Sequence, residues 1–428
     1  MSSKAKAIEL DSAVVDGITL GPEWNRVLEM RPSITEYDLS ALEEVQAIPG
    51  AQSLAYCYQC GKCTGVCPID TVGDYSPRKV FRRTQRGAPL LEGSDLWLCT
   101  TCSNCVRVCP KGVDMIDIMP ALREQALLAG HGPGEVLTAF ESTSRYGNPL
   151  GEAPRKRADW TRVAEVPVPV MKEIDRPVDV LWFVECYPSY HPRGKEASVA
   201  LARILDRIQV DFGILGTEER CAGDSQRMAG ERGLFEMLAE HNIETLSKYE
   251  FRRIMVTDPH AYNAFLHEYP KLGGDWPTTH YTQFLAEHLA ELQFVQPLER
   301  RVTFHDPCYL GRHNGEYEAP RRLLGAIPGI DLVEMGRCRE RSFCCGGGGG
   351  GMWLDGFVSE HTSMRLSESR VLEAIGTGAD ILAVCCPYEV SRFEDAVKST
   401  GNSGRLQVMD IAELLSYSLG LTTPSSLS

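Results

Sequence analysis

Residues 57–68 read CYQCGKCTGVCP, and residues 99–110 read CTTCSNCVRVCP. Both follow one spacing, C-x2-C-x2-C-x3-C-P. A cubane [4Fe–4S] cluster needs four thiolates in a tetrahedral arrangement. Three closely spaced cysteines can wrap one face while the fourth arrives from elsewhere. Zinc more often takes its four ligands as two spaced pairs, and two identical runs ending in Cys-Pro fit that poorly. The spacing therefore predicts two iron–sulfur sites.

The segment around these runs resembles the bacterial two-cluster ferredoxins. That resemblance implies crossed ligation, with Cys57, Cys60, Cys63 and Cys109 on one cluster and Cys99, Cys102, Cys105 and Cys67 on the other. The insert between the runs is longer than in small ferredoxins. Ser76-Pro77 looks like an N-cap and first helical residue, and Gly87 like a stop. The basic stretch Arg78-Lys79-Val80-Phe81-Arg82-Arg83 lies between them. It could dock an acidic redox partner, offset the negative clusters, or simply be a solvated helix face. Residues 115–129 also read as helix, with Pro120 as a kink or restart.

Working outward, the chain has 428 residues, 43% hydrophobic and 24% charged, which is ordinary for globular domains. The net charge of −14 disfavours a nucleic-acid binder. No apolar run approaches the ~18–20 residues of a membrane span, and the first residues, MSSKAKAIELDSAVV, carry no signal-peptide core. Without a secretion signal, 16 cysteines read as metal ligands before disulfides. The remaining cysteines are Cys186, Cys221, Cys308, Cys338, Cys344-Cys345 and Cys385-Cys386.

Beyond residue 178 short apolar runs alternate with amphipathic stretches, which implies parallel α/β sheets. Strands are expected at 179–185, near 210–215, at 254–257, at 302–304, near 330–335 and at 381–384. Helices are expected near 195–208, over 227–247, from Pro320 and after Asp355. The pattern repeats with an offset of 122 residues between Cys186 and Cys308. Most cysteines of this half fall at or just after strand ends, where open α/β sheets place their sites. The expected organisation is a lead-in at 1–50, a mainly α-helical two-cluster domain at 51–140 and a linker at 141–178. Two α/β units follow, at 179–295 and 296–420, and the last residues, TTPSSLS, form a loose tail.

Cys308, Cys344-Cys345-Gly346 and Cys386-Pro387 together resemble the cysteine-rich CCG domain of heterodisulfide reductases and related electron-transfer proteins. The helical two-cluster segment completes the architecture of their fused members. The resemblance implies a third [4Fe–4S] cluster, which in the family can be non-cubane and held by five cysteines. Here the family's C-P-x-C element reads Cys386-Pro387-Tyr388-Glu389. The ligands implied are Cys308, Cys344, Cys345 and Cys386, with Cys385 or Glu389 as a fifth, and a cubane remains open as well. Gly346, Gly347 and Gly348 begin a run of six glycines that can offer backbone N–H groups to the cluster. The first unit is eroded to Cys186, Cys221-Ala222-Gly223 and Asp258-Pro259-His260-Ala261. Its two cysteines could be relics, a redox disulfide, or metal ligands with Asp258 or His260. His305-Asp306 could handle protons or orient the loop. Arg155-Lys156-Arg157 reads as solvated and Cys338 as a free thiol.

Two functions follow from the resemblance. The favoured one is the iron–sulfur electron-transfer subunit of an anaerobic oxidoreductase complex, active within that complex. It would relay electrons between the CCG cluster and a flavoprotein, such as an electron-transfer flavoprotein or a flavin subunit, or a membrane quinone-reactive subunit. The alternative is a catalytic heterodisulfide or disulfide reductase subunit, against which the eroded first unit argues. No G-x-G-x-x-G follows a strand, so a flavin is expected on a partner. A cytoplasmic location is expected, with any membrane contact peripheral.

Overall fold

The computed structural model describes the strands β1 (Ala13–Val15) and β2 (Ile18–Leu20), residues 40–85 and residues 93–422. Gly87 and residues 423–428 of the tail lie outside the described residues. β1 and β2 pair antiparallel, and the sequence between them, Asp16-Gly17, is a two-residue hairpin signal that the expected lead-in leaves out.

The cysteine-dense segment is helical, as expected. The helix Pro77–Gln85 starts at the predicted Pro77. Met115–Leu128 is one helix that runs through Pro120, started by Asp114, whose side chain accepts the Ile116 N–H at 2.8 Å.

Two four-stranded parallel sheets follow. The first comprises β3 (Val178–Phe183), β4 (Phe212–Ile214), β5 (Phe251–Val256) and β6 (Thr278–His280), in the order β4-β3-β5-β6. The second comprises β7 (Arg300–Phe304), β8 (Ile330–Val333), β9 (Ile381–Val384) and β10 (Gln407–Asp410), in the order β10-β9-β7-β8. Strand for strand the two orders are the same, so the duplication extends to topology. β9 is buried along its whole length and β3 at all but Asp179, the pattern of parallel strands covered on both faces. One apolar core contains Trp182, Phe183 and Met255 of the first sheet with Val302, Phe304 and Met409 of the second. A second core joins Leu96, Trp97 and Met119 of the helical segment to Leu382 and Val384 of β9.

Four expectations change. Residues 141–178 are not a free linker: Trp160 and Met171 are buried, Trp160 meets Trp182 edge-on at 5.3 Å, and Val170 bridges Ile214 beside the first sheet. Arg157 is buried rather than solvated, whereas Arg155 and Lys156 are exposed. The long helix expected over 227–247 is split into Asp224–Met228 and Arg232–Leu246. At the break, Gly230 has φ +91°, and a Cβ there would stand 2.6 Å from the Glu124 nitrogen. The glycine ends one helix and lets the helix Met115–Leu128 pack closely. The helix after Asp355 is likewise two, Asp355–His361 and Leu366–Gly376.

Candidate iron–sulfur centres

The two ferredoxin-like runs wind through left-handed residues, Gln59 (φ 65°), Gly61 (φ 84°), Thr101 (φ 49°) and Ser103 (φ 63°). This winding turns the closely spaced thiols of each run towards one point. One cavity is lined by Cys57, Cys60, Cys63 and Cys109, together with Cys105. A second is lined by Cys67, Cys99, Cys102 and Cys105. The fourth cysteine of each run thus sits with the first three of the other.

The chemistry of both cavities suits a cationic iron core. Burial pushes the Cys57 and Cys63 thiols up, and Cys67 reaches about 12 through burial and its neighbour Cys99. Cys105 is pushed well up by burial and by Cys99 and Cys67. Thiols crowded together in a desolvated space resist ionisation until a metal takes the place of their protons. Two N–H groups already point at sulfur, Val113 to Cys109 at 3.3 Å and Gln59 Nε2 to Cys57 at 3.4 Å.

The second cavity abuts the C-terminal cysteines. Cys344 lies within hydrogen-bond reach of Cys102, Cys308 and Cys345, contacts that hold its thiol well down and push theirs up. The Cys308 and Cys344 sulfurs are 4.0 Å apart. His305, Cys345 and Glu389, all buried, place one donor atom each within 4.8 Å of one another. His305 Nδ1 accepts from Arg370 Nε at 3.0 Å. Its Nε2 lies 3.2 Å from Glu389 Oε1 without the alignment of a hydrogen bond, and Glu389 Oε2 has no partner among the described residues. Orphaned buried donors and acceptors beside three thiols are a donor set that a metal cluster would satisfy.

Of the two candidate fifth ligands, the structure brings Glu389 to this group, whereas Cys385 packs in the apolar core shared by the two sheets. Cys386 is buried beside Tyr187 and Tyr388 and bears electrostatically on Cys345. Cys338 is partly exposed and joins no donor group among the described residues. His305 emerges as a candidate donor that spacing alone did not single out. Asp306 instead pairs through both oxygens with Arg321, at 2.7 and 3.0 Å.

The glycine run does two jobs. The N–H of Gly346 points at Cys344 Sγ (3.2 Å) and that of Gly347 at Cys345 Sγ (3.5 Å). Gly348 differs: a Cβ there would stand 2.5 Å from the Thr100 carbonyl oxygen, and one on Gly349 would stand 2.8 Å from that of Cys99. These two glycines let the CCG loop lie against the backbone of the second ferredoxin-like run. Arg123, fully buried, locks this contact. Its guanidinium donates to the carbonyls of Leu96 (2.6 Å), Cys99 (2.6 Å), Met228 (2.8 Å) and Gly349 (2.8 Å), tying three parts of the chain together. Arg312 adds a bond to the Cys102 carbonyl at 2.7 Å.

In the first α/β unit, Glu185, Cys186 and Cys221 bring donor atoms within 4.8 Å of one another, all buried. Glu185 Oε2 accepts the Cys186 N–H and Oε1 the Ala222 N–H, each at 2.6 Å. Arg157 donates to Glu219 at 2.7 Å and lies 3.4 Å from Cys186 Sγ. Asp258 and His260 are engaged elsewhere: Asp258 caps its helix, accepting from His260 N at 2.8 Å, and His260 Nδ1 meets Asp224 Oδ2 at 3.0 Å. Two thiols and a carboxylate are too few for a four-iron cluster but could hold a single metal ion.

These features define an iron–sulfur protein with a dicluster domain followed by paired cysteine-rich α/β units. The chain matches the 4Fe-4S dicluster domain over residues 56–113 and the cysteine-rich domain CCG over residues 180–265 and 302–388. It is 30% identical to one component of the "Dihydromethanophenazine:CoB--CoM heterodisulfide reductase" of Methanosarcina barkeri, across 92% of this chain and 98% of that one. It is 33% identical to the "Probable iron-sulfur-binding oxidoreductase FadF" of Bacillus subtilis (85% of this chain, 59% of that one). It is 35% identical to the "EtfAB:quinone oxidoreductase" of Syntrophomonas wolfei (75% and 46%). The chain therefore spans about half to three-fifths of the latter two proteins. It belongs to the heterodisulfide reductase-like family of iron–sulfur oxidoreductase proteins. Among the described residues no helix is long and apolar enough to cross a membrane.

Proposed function

We propose that this chain is the iron–sulfur electron-transfer component of a larger oxidoreductase, with three [4Fe–4S] sites in line. Cys57, Cys60, Cys63 and Cys109 would hold the first, and Cys67, Cys99, Cys102 and Cys105 the second. Cys308, Cys344, Cys345 and Cys386 would hold the third, with Glu389 as the additional donor and cubane or non-cubane geometry open. A four-iron cluster supplies a one-electron carrier whose potential depends on hydrogen bonds to sulfur and on burial. The chain's own contribution is order: Gly346 and Gly347 direct N–H groups at sulfur, while Gly348, Gly349 and Arg123 hold the second and third sites against each other.

The packing of Gly348 and Gly349 against the Thr100 and Cys99 carbonyls carries this reading, with Arg312 bonded to the Cys102 carbonyl at 2.7 Å. It sets the loop that bears Cys344 and Cys345 against the run that bears Cys99 and Cys102, which a relay needs and a set of independent structural sites does not. The redox partner is a flavoprotein, of the electron-transfer or heterodisulfide-reductase flavin type, or a membrane quinone-reactive subunit. The name of the Syntrophomonas relative supports a partner of this kind. The protein works in an anaerobic cytoplasm, and membrane contact is through the partner.

A second reading, disulfide reduction, is favoured by the name of the Methanosarcina relative and by the surviving Cys186–Cys221 pair. Anaerobic purification, iron counting and EPR of the wild type and Cys345→Ala separate the possibilities. About twelve irons per chain, with about four lost in the variant, support three four-iron sites. About eight in the wild type remove the third site and the relay with it. A thiol-induced EPR signal from the C-terminal site would favour the disulfide enzyme.

A further inference from the structure

Of the three thiol groups, only the first includes an exposed cysteine. Cys60 is exposed, whereas Cys67 and Cys102 of the second group and Cys308, Cys344, Cys345 and Cys386 of the third are buried. Tunnelling between proteins falls steeply with distance, so an external partner gains most by docking over Cys60. The surface there is unusual for this chain. Tyr56 and Tyr58, 62% and 58% exposed, flank Cys57. Lys62, Arg78 and Lys111 line the same cavity, with the Lys111 ammonium 6.0 Å from the Tyr58 ring centroid.

No ion pair engages these three cations among the described residues, whereas nearby Lys79 is paired with Asp74 and Arg83 with Asp95. This unpaired basic rim sits on a chain of net charge −14. The overall charge repels an acidic protein, and the rim attracts it at one place. Such a contrast orients an encounter. Exposed tyrosines supply the apolar anchors that interfaces favour.

We infer that the face around Cys60, formed by Tyr56, Tyr58, Lys62, Arg78 and Lys111, docks a redox protein that presents carboxylates around its electron-transfer edge. The inference rests on the relay reading, and it adds the point of entry or exit and the charge of the partner. The competing role for the cations is to balance the charge of the first cluster without any docking.

The test uses the full-length holoprotein and reduced flavodoxin, an acidic flavoprotein that gives up one electron per encounter. Binding is measured as a function of salt, and cluster reduction is followed by stopped-flow absorbance. The wild type should bind flavodoxin at low salt and weaken as salt rises. Arg78→Glu with Lys111→Glu should weaken binding about tenfold and flatten the salt dependence. Tyr58→Ala should weaken binding with the salt slope kept, and Arg252→Glu on β5 should change neither. All variants should keep wild-type iron and full reduction by dithionite.

No binding by the wild type at low salt, or wild-type binding and salt slope in the charge-reversed variant, would overturn the inference. So would a shifted midpoint potential with unchanged binding, which would assign the cations to charge balance. If flavodoxin binds as expected but dithionite-reduced wild type shows no reduced third site by EPR, the relay fails while the docking face stands.

Discussion

Gly348→Ala tests the joint between the second and third sites. Gly348 is not in the left-handed region, so alanine brings no backbone strain there; the effect is steric. The new Cβ would stand 2.5 Å from the Thr100 carbonyl oxygen. Ordinary carbon–oxygen contacts begin at about 3.3 Å, so the CCG loop must retreat by roughly 0.8 Å or more. The obstacle is backbone held by Arg123 through the neighbouring Cys99 carbonyl, and no flexible side-chain end can swing away. Overpacking of this kind costs about 1–3 kcal/mol, and the retreat draws Cys344 away from Cys102. Gly325→Ala is the matched control: it lies in the helix Glu318–Ala326 with nothing within 4 Å of a new Cβ. That change should stabilise by about 0.5–1 kcal/mol. The assay is anaerobic denaturation together with EPR of the reduced protein, read for magnetic interaction between clusters. Gly348→Ala should keep its iron, lose about 1–3 kcal/mol and show a weaker interaction. Wild-type stability and spectra would refute the view that the glycine run is a contact surface between the two sites.

Further predictions concern ligation, a buried ion pair and pH. Cys67→Ser should cost about four irons from the group containing Cys99 and leave the signal of the group containing Cys57 intact; the opposite loss would overturn the crossed assignment. Arg157→Leu leaves Glu219 buried without its ion partner and should cost about 3–5 kcal/mol in a denaturant titration, with part of the loss recovered when Glu219→Gln is added. Burial holds the Asp410 carboxyl up at about 7, against an ordinary value of 3.8. Folding therefore favours its protonated form, and this contribution is complete below about pH 4 and lost as the pH rises to about 7. Asp410→Asn removes the dependence while keeping an oxygen for the Tyr281 hydroxyl and the Ala412 N–H. From pH 5 to pH 7 the variant should gain on the wild type by roughly 2–3 kcal/mol, at about 1.4 kcal/mol per pH unit, and a flat difference would contradict that placement of Asp410.

Much of the site was legible because ligand spacing is local. In CYQCGKCTGVCP the distance between successive thiols is set by two or three residues of backbone, so the pattern declares the geometry before any fold is known. The duplicated sheets were legible for a related reason: apolar runs ending at Cys186, Cys308 and Cys386 mark strands whose carboxyl ends carry the site. Helix ends were less legible. The break at Gly230 reflects the approach of Glu124 from another part of the chain, and no local propensity encodes that.

What the sequence by itself determined is which residues can bind iron and on what architecture they stand. What only the tertiary structure decided is which of them meet. Glu389 joins Cys345 and His305 while Cys385, four residues before it, turns into the core. Arg157, part of a charged run that reads as surface, crosses 62 residues to Glu219 and lies against Cys186. Arg123 and Gly348 bind the second site to the third across more than 200 residues. Such pairs are invisible in spacing because the energies that select them, desolvation and close packing, exist only after the chain has excluded water from the contact.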